Sequence, residues 1–396
     1  MKIILFTDTF LPQINGVVTS VVNFSRELAK RGHIVYIFTT KQKRQPKVNL
    51  GKNIYIHYFP SGNWFIDYPD LKLVNPQIVK TMSMVSKIKP DIIHVNAPSP
   101  HAWTALLCAR VYKIPIIGTY HTLISDFLKH SKMKHVNPEI GKKLTWDYTR
   151  SYYNNLDLVI APSEAIRKEL ISQKIKKEIK VVSNGVDTKL FYPEKMQKKG
   201  NRILHVGRIS YEKNIDVLLK AFRIVLRKIP DAKLDIVGEG PNLEELRQMS
   251  RKLKIDTNVR FLGRIEHTKL RGVYCAYDAF ATASTIETEG LVILEAMACG
   301  LPVVGVNCRA IPYIVKNDFN GYVAEPFNER EMASYIGKII KDEKSRHKFS
   351  LNSIKTSRKF SLENSVEAIE RIYERTASEK KKKKKEKSWA FRRKAR

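Results

Sequence analysis

The chain has 396 residues, 43% of them hydrophobic, which is long enough for two domains that each bury a core. Its formal net charge of +32 indicates an anionic partner, nucleic acid or an anionic membrane surface, or alternatively a lysine-rich proteome in which lysine serves solubility. No apolar run approaches the roughly 18 residues of a membrane span, and the amino-terminal run is too short for a signal peptide, so we expect a cytoplasmic protein.

Four cysteines, Cys108, Cys275, Cys299 and Cys308, show no paired spacing. Cys108 and Cys299 lie inside apolar helical patterns, so we interpret them as core residues of a protein in a reducing compartment. The sequence carries no HExxH, cysteine-rich or Asp-x-Asp pattern. We therefore expect no cofactor and no protein-held metal.

Apolar strands and amphipathic helices alternate along the chain, which predicts two consecutive doubly wound α/β domains. The first series has predicted strands at 2–8, 33–39, 54–59, 91–96, 114–120, 156–161 and 179–183, with a basic helical insert at about 125–155. The second has predicted strands at 203–206, 233–237, 259–262, 278–282 and 301–306. Ligands of such folds bind beyond the carboxyl ends of the strands, so we expect the two domains to face each other across a ligand cleft.

A polar segment at 193–200 is typical of a linker, and it divides the chain into predicted domains 1–192 and 193–360. A last helix at about 361–376 follows them. Residues 379–396 contain eleven Lys or Arg and two Glu, a net charge of +9. Because like charges repel, we expect this segment to be a disordered polybasic tail.

The most informative stretch is 285–304, TIETEGLVILEAMACGLPVV. Glu295 interrupts an otherwise apolar helix, and a carboxylate buried there needs hydrogen-bond partners. Glu287 stands eight residues earlier, and Gly290 permits close approach of the backbone. Either Glu295 pairs with an Arg or Lys in the core, or the two carboxylates bind hydroxyl groups of a ligand at the start of the helix.

Two cations follow the predicted strand 203–206, in the segment HVGRISYEKN. Arg208 offers a planar fork to phosphate and Lys213 a point charge, both just before a helix. Two cations at a helix amino terminus favour an anion between them, because the helix dipole is positive there. We therefore predict a diphosphate site, with an ion pair between Arg208 and Glu212 as the alternative.

The first half of the chain offers two further loops. Gly16 begins the first helix, whose free N–H groups suit an anion, although a Gly before a helix is also typical of a plain turn. His121 follows the predicted strand 114–120 and is either a ligand group or structural. A diphosphate flanked by two polyols, a ribose and a sugar, would satisfy all of these groups, and this describes a nucleotide sugar.

At these residues the sequence resembles retaining glycosyltransferase family 4, which has the GT-B fold, over residues 1–376. The E-x7-E motif from Glu287 to Glu295 and the GR-x4-K pattern of Arg208 and Lys213 carry the resemblance. The sequence differs from many members at Glu289, where they have Phe. A polar residue there and the TYHT strand end make it most similar to membrane-associated diacylglycerol glucosyltransferases.

The resemblance implies a role for each candidate. Glu295 would bind the ribose hydroxyls, Glu287 the donor sugar, and Arg208 with Lys213 the diphosphate, while His121 would approach the sugar near the reacting centre. The catalytic set is then His121, Arg208, Lys213 and Glu287. Further positions complete the predicted donor site: Asn15, Gly16, Gly207, Gly263, Gly290 and Leu291.

We expect UDP-glucose as the donor and a membrane glycerolipid such as diacylglycerol as the acceptor, at the inner face of the cell membrane. An aromatic and basic cluster favours an anionic membrane surface as partner: Trp64, Phe65, Tyr68, Lys129, Lys132 and Lys134. One alternative is a soluble sugar or polysaccharide precursor as the acceptor. A more distant alternative is a nucleic-acid-binding protein that reuses the fold, which the pocket residues disfavour, so we expect no nucleic acid.

Overall fold

The computed structural model describes residues 1–13, 15–41, 48–62, 73–74, 77–121, 137–194 and 200–394. They form two compact units, the first from Met1–Ser183 and Ser365–Arg396 and the second from Asn184–Asn364. The boundary lies before the predicted one at residue 192, because Val186 and Phe191 are buried in the core of the second unit.

The first unit is built on a parallel sheet whose strands are short apolar runs covered on both faces. Its seven strands are β1 (Lys2–Phe6), β2 (Ile34–Thr40), β3 (Ile54–Phe59), β6 (Ile92–Val95), β7 (Ile116–Thr119), β8 (Leu158–Ala161) and β9 (Ile179–Val181). Their order is β3-β2-β1-β6-β7-β8-β9, and β4 (Ser61–Gly62) pairs separately with β5 (Leu73–Val74). The strand order reverses between the adjacent strands β1 and β6.

Helices connect these strands, and side-chain caps start four of them. They are α1 (Gly16–Lys30), α2 (Ile78–Ile88), α3 (Pro100–Val111), α4 (Pro138–Tyr153) and α5 (Glu164–Ser172). Asn15 caps α1, Ser99 caps α3 and Ser163 caps α5, each accepting a hydrogen bond from a backbone N–H three residues on. Asn137 caps α4 by accepting from the Glu139 N–H at 2.9 Å. The predicted insert at 125–155 is thus a helix over its second half, and residues 122–136 lie outside the described part.

The second unit has a six-stranded parallel sheet. Its strands are β10 (Arg202–Val206), β11 (Lys233–Val237), β12 (Val259–Gly263), β13 (Ala279–Ala281), β14 (Val303–Val306) and β15 (Gly321–Ala324), in the order β12-β11-β10-β13-β14-β15. Its helices are α6 (Ile215–Leu226), α7 (Leu243–Lys252), α8 (Leu270–Cys275), α9 (Leu291–Ala298), α10 (Ile311–Ile314), α11 (Glu329–Lys341) and α12 (Glu343–Lys359). Two parallel-sheet α/β domains were predicted, and this is confirmed.

The last helix, α13 (Leu362–Lys394), returns the chain to the first unit. A 2.7 Å hydrogen bond joins the Tyr373 hydroxyl to Nδ1 of His94, and Glu370 pairs with His33 at 2.7 Å. The helix does not end near residue 376. It continues to Lys394, so the expectation of disorder from residue 379 differs from the structure, which assigns helix there.

Two features account for a helix in so basic a segment. Lysine has a high intrinsic helix propensity. Carboxylates of the first unit also offset part of its charge, because Lys380 pairs with Asp157 at 2.8 Å and Arg375 pairs with Glu178 at 3.0 Å. These carboxylates lie 223 and 197 residues before Lys380 and Arg375 in the sequence, so repulsion within the lysine run does not reveal them.

Candidate active site

The loops that carry the predicted donor residues leave two adjacent strands at the centre of the second sheet. The loop after β10 contains Arg208 and Lys213, and the loop after β13 contains Glu287. The strand order reverses between β10 and β13, and the carboxyl ends of such strands form the ligand crevice of doubly wound folds. The fold therefore brings together residues 74 positions apart, Lys213 and Glu287.

Lys213 and Glu287 form a short ion pair, 2.6 Å from Nζ to Oε1, with both side chains largely buried. Burial raises the pKa of Glu287, but the charge and hydrogen bond of Lys213 outweigh it and hold the pKa below its ordinary value. Asn214 fixes the neighbouring backbone, since its Nδ2 donates to the Ala283 carbonyl at 3.2 Å. An anion and a cation are thus held side by side at the strand ends.

Arg208 donates from Nη2 to Oε1 of Glu212 at 2.7 Å. The same oxygen accepts a 2.7 Å hydrogen bond from the Ser210 hydroxyl. The ion pair that the sequence offered as an alternative to a diphosphate site is therefore present. The Arg208 side chain stays substantially exposed, so a phosphate can reach the guanidinium.

Glycines allow the loops after β10, β11 and β12 to pack backbone against backbone. Gly238 has φ +141°, and a Cβ there would lie 1.8 Å from the Gly207 carbonyl oxygen. The Gly207 N–H donates to Val237 and the Gly238 N–H to Gly263, at 3.0 and 2.9 Å. Gly207 and Gly263 therefore belong to one connected set of turns beneath Arg208, and their donor contacts stay a prediction.

Glu295 is buried in α9, and both of its carboxylate oxygens have partners. Oε1 lies 2.8 Å from Nε2 of His267, and Oε2 accepts from the Tyr274 hydroxyl at 2.9 Å. Neither is the Arg or Lys that the sequence alternative required. These two partners fix the carboxylate while each oxygen keeps further acceptor capacity, as a ligand for vicinal hydroxyls needs.

Glu295 changes the pKa of His267. Burial lowers its pKa, but the hydrogen bond and charge of Glu295 outweigh this, with Asp187 adding to them, so the pKa is raised. The pair therefore stabilises the fold below pH 6.5, and this contribution is lost as pH rises through the folded-state pKa.

We expect His267→Gln to remove this pH dependence. The contribution of His267 to the unfolding free energy should fall as pH rises above 6.5, because its unfolded form then binds fewer protons than its folded form. The difference in unfolding free energy between the wild type and the variant should therefore shrink over this range, measured by urea unfolding of both proteins at several pH values. His347→Gln, at an exposed position, is the control and should leave the profile as in the wild type.

Glu289, the residue that departs from the family pattern, is buried and faces the start of the second unit. The Asn184 backbone N–H donates to its two oxygens at 3.0 and 3.1 Å, and the Asn184 side-chain amide donates to Oε2 at 2.6 Å. These residues lie 105 positions apart. Glu289 thus anchors the polar turn that follows Ser183, a role that local sequence did not reveal.

Glu289→Ala should destabilise the second unit by about 1–3 kcal/mol, because buried amide donors of Asn184 lose a charged acceptor. Urea unfolding measures this loss. Glu266→Ala removes an exposed carboxylate from the same unit and should have little effect. Equal stability of the two variants would contradict the anchoring role.

The helix that carries Glu295 starts at the predicted position. Gly290 has φ +89°, a left-handed conformation that favours glycine, and α9 begins at Leu291. The Ile293 and Leu294 N–H groups donate to the Gly290 carbonyl at 2.9 and 3.1 Å. Gly290 and Leu291 therefore lie directly at the helix start, three and four residues after Glu287.

In the first unit, Asn15 and Gly16 lie where β1 gives way to α1. The Asn15 side chain accepts from the Val18 N–H at 3.0 Å and so caps the helix. Both residues are exposed, and no acidic residue occupies the first turn. The geometry suits an anion, and a donor contact at Gly16 stays a prediction.

His121 is buried beyond β7, beside a residue that sequence reasoning missed. Asn96 donates from Nδ2 to the Phe6 carbonyl at 3.1 Å, which directs its Oδ1 to Nε2 of His121 at 3.0 Å. His121 is therefore the donor in that hydrogen bond. Burial lowers its pKa to about 4, so the ring is neutral at pH 7.

The predicted acceptor and membrane residues, Trp64, Phe65, Tyr68, Lys129, Lys132 and Lys134, lie outside the described residues. Within the described ranges, no group of three or more His, Cys, Asp or Glu side chains is placed to hold a metal ion. None of the helices in the described part of the chain is long and apolar enough to cross a membrane.

Comparison with known proteins identifies the family. Residues 14–190 match the model of Glycosyltransferase Family 4, and residues 187–356 match that of Glycosyl transferases group 1. The chain is 34% identical to the alpha-monoglucosyldiacylglycerol synthase of Streptococcus pneumoniae, over 85% of this chain and 77% of that protein. The chain belongs to glycosyltransferase family 4. It is a glycosyltransferase, as the E-x7-E and GR-x4-K patterns predicted.

Further similarities support the family and the fold. The alpha-monoglucosyldiacylglycerol synthase of Acholeplasma laidlawii is 29% identical over 84% of this chain and 86% of its own length. The Anabaena protein HepE, solved in complex with UDP and glucose, superposes with a TM-score of 0.74 at 20% identity, over 94% of this chain and 99% of HepE. This glycosyltransferase therefore has the GT-B fold.

Proposed function

We propose that this glycosyltransferase moves glucose from UDP-glucose to diacylglycerol or a related glycerolipid, with retention of configuration, at the inner surface of the cell membrane. The observation that carries the acceptor is the 34% identity to an alpha-monoglucosyldiacylglycerol synthase over most of both chains. The binding of UDP and glucose by HepE, a protein of the same fold, supports the donor.

The second unit supplies the charges that such a donor requires. Arg208 and Lys213 neutralise the diphosphate, and Glu287, which pairs with Lys213 in the free protein, accepts hydrogen bonds from the sugar hydroxyls. Glu295 accepts hydrogen bonds from the ribose hydroxyls while His267 and Tyr274 hold its carboxylate. Each cation has a carboxylate partner before the donor arrives, so the site is preorganised at low electrostatic cost.

The reaction needs little from the protein beyond placement and charge. The acceptor hydroxyl attacks C1 of the sugar on the face from which UDP leaves, the bond from C1 to the diphosphate oxygen breaks, and the departing phosphate takes the acceptor proton. Arg208 and Lys213 stabilise the charge that develops on the leaving group. His121 is neutral at pH 7 and so acts as a hydrogen-bonding group, not as a general acid.

Labelled nucleotide sugars test the proposal. The protein is incubated with radiolabelled UDP-glucose, UDP-galactose or GDP-mannose and vesicles that contain diacylglycerol and phosphatidylglycerol. Label from UDP-glucose should enter the lipid extract and be released by an α-glucosidase but not by a β-glucosidase. Transfer only to water-soluble acceptors, indifferent to vesicles, would establish the soluble-acceptor alternative. Salt-dependent binding to nucleic acid without any transfer would overturn the proposal.

A further inference from the structure

We propose that an exposed apolar strip on α3 and α4 of the first unit is the surface that inserts into an anionic lipid bilayer. The strip consists of Ile140, Leu144 and Tyr148 on α4 and Leu107 and Val111 on α3, together with the half-buried Trp103 on α3. It rests on the proposed lipid acceptor, because an enzyme must dock on the bilayer to reach such a substrate.

On α4, three apolar side chains recur every four residues and face solvent. Ile140 is 55% exposed, Leu144 53% and Tyr148 39%. The opposite face of the same helix is packed in the core, where Trp146 and Tyr153 are buried. The exposed stripe therefore is not needed to attach the helix to the sheet.

On α3 the same spacing recurs at Trp103, Leu107 and Val111. Leu107 is 40% exposed and Val111 50%. Its other face is buried, with Ala102, Ala105 and Ala109 among the core residues. Each stripe spans nine residues, a rise of about 12 Å.

The two stripes meet at an aromatic pair. Nε1 of Trp103 donates to the Tyr148 hydroxyl at 3.1 Å, and the two ring centroids are 6.3 Å apart. The strip is therefore continuous from Ile140 through this pair to Val111. Tryptophan and tyrosine are the side chains favoured at the boundary between headgroups and acyl chains, because an apolar ring carries a polar edge.

Basic residues flank the strip and determine which occupant fits it. Lys142 and Lys143 are exposed on α4, and Arg110 and Lys113 are exposed at the end of α3. The segments 100–113 and 138–153 together carry five Lys or Arg and two acidic residues, a net +3. Apolar side chains within a cationic rim complement an anionic bilayer, where the apolar groups enter the acyl region and the cations meet the headgroups.

The lysine-rich part of α13 is also attached to the first unit. Asp157 accepts from the N–H of Ile116, the first residue of β7, at 2.9 Å, and it also pairs with Lys380 at 2.8 Å. Lys380, where the lysine run begins, is therefore held beside the start of the strand that follows α3. The run adds its positive charge to the same unit that carries the strip.

Vesicle flotation tests the surface. Ile140→Ser with Leu144→Ser, and Leu107→Ser with Val111→Ser, should each lower partition to vesicles of phosphatidylcholine and phosphatidylglycerol by at least about tenfold, because inserted apolar surface is lost. Matched controls are Ile171→Ser on α5 and Leu351→Ser on α12, which are 50% and 55% exposed. They should float as the wild type does, and unchanged flotation of both strip variants would overturn the proposal.

A gain of signal provides a second measurement. The tryptophan emission of the Leu144→Trp variant should shift to the blue when these vesicles are added, and brominated acyl chains should quench it. The emission of the Leu351→Trp variant should show neither change. Absence of quenching in the Leu144→Trp variant, while the protein is bound to the vesicles, would overturn the proposal. So would strip variants that alter sedimentation velocity but not flotation, since the strip would then contact a second copy of the chain.

The two proposals fail in different ways. If the wild type floats, the strip variants do not, and no label ever enters lipid, the acceptor is wrong and the surface stands. If labelled lipid forms and the strip variants bind and react as the wild type does, the surface is wrong and the acceptor stands.

Discussion

Lys213→Ala is expected to lower kcat/KM for sugar transfer by roughly 30- to 1,000-fold, the equivalent of about 2–4 kcal/mol of transition-state stabilisation. The reason is that negative charge grows on the diphosphate as the bond to the sugar breaks, and Lys213 is a largely buried cation at the ends of the central strands. Initial rates with radiolabelled UDP-glucose and acceptor vesicles measure the loss. Lys220→Ala, at an exposed ion pair in the same unit, is the control and should retain wild-type rates.

The same substitution also affects folding, so a second variant must separate the two effects. Removing Lys213 leaves the carboxylate of Glu287 buried without its cation, and breaking a buried pair destabilises a protein by about 3–5 kcal/mol. Lys213→Met combined with Glu287→Gln removes both charges and should recover much of this stability. Activity should stay low, because of the two predicted cations only Arg208 then faces the diphosphate. Recovery of activity together with stability would reduce Lys213 to a structural partner of Glu287.

The fold could be predicted because its signals are local. Each parallel strand is a short apolar run, as at Ile3 and Ile4 in β1, since both faces of the sheet are covered. Glycines at the turns, such as Gly290, marked where helices begin. The alternation of such runs with helices determines a doubly wound unit almost by itself, because parallel strands require a crossover helix between them.

The members of the site could be predicted, but their contacts could not. The spacing from Glu287 to Glu295 and from Arg208 to Lys213 is readable in the chain. The partners of Glu295 are 28 and 21 residues away, at His267 and Tyr274, and no periodic pattern links them to it.

Two features of the chain could not be predicted because both depend on partners far away in the sequence. Repulsion between the lysines after residue 379 predicted disorder. The carboxylates that pair with Lys380 and Arg375, however, belong to distant parts of the first unit. Glu289 was compared with the residue of other family members, while its function depends on Asn184 across the second unit. Pairing of this kind arises only when the chain is folded.

Mild acid should destabilise the first unit, by about 1 kcal/mol for each of three buried histidines between pH 6.5 and 5.5. Burial lowers the pKa of His94, His101 and His121 to about 3, 3 and 4, with the charge of His121 adding to the effect at His94. The unfolded chain binds protons at 6.5 while the folded one does not, so stability is full above pH 6.5 and falls as the pH drops toward the folded-state values. Urea unfolding of the first unit at pH 7.5, 6.5 and 5.5 measures this, and a flat profile would contradict it.

His101→Phe isolates one of the three contributions. The ring of His101 lies 4.8 Å from that of Phe6 and 4.6 Å from that of Phe59, and neither of its nitrogens has a hydrogen-bond partner among the described residues. A phenyl ring suits these neighbours and binds no proton, so the variant should lose about 1 kcal/mol less than the wild type between pH 6.5 and 5.5. His347→Phe, at an exposed site in the second unit, should leave the slope unchanged. A histidine that packs as an aromatic residue at neutral pH thus becomes a source of instability only when it must be charged.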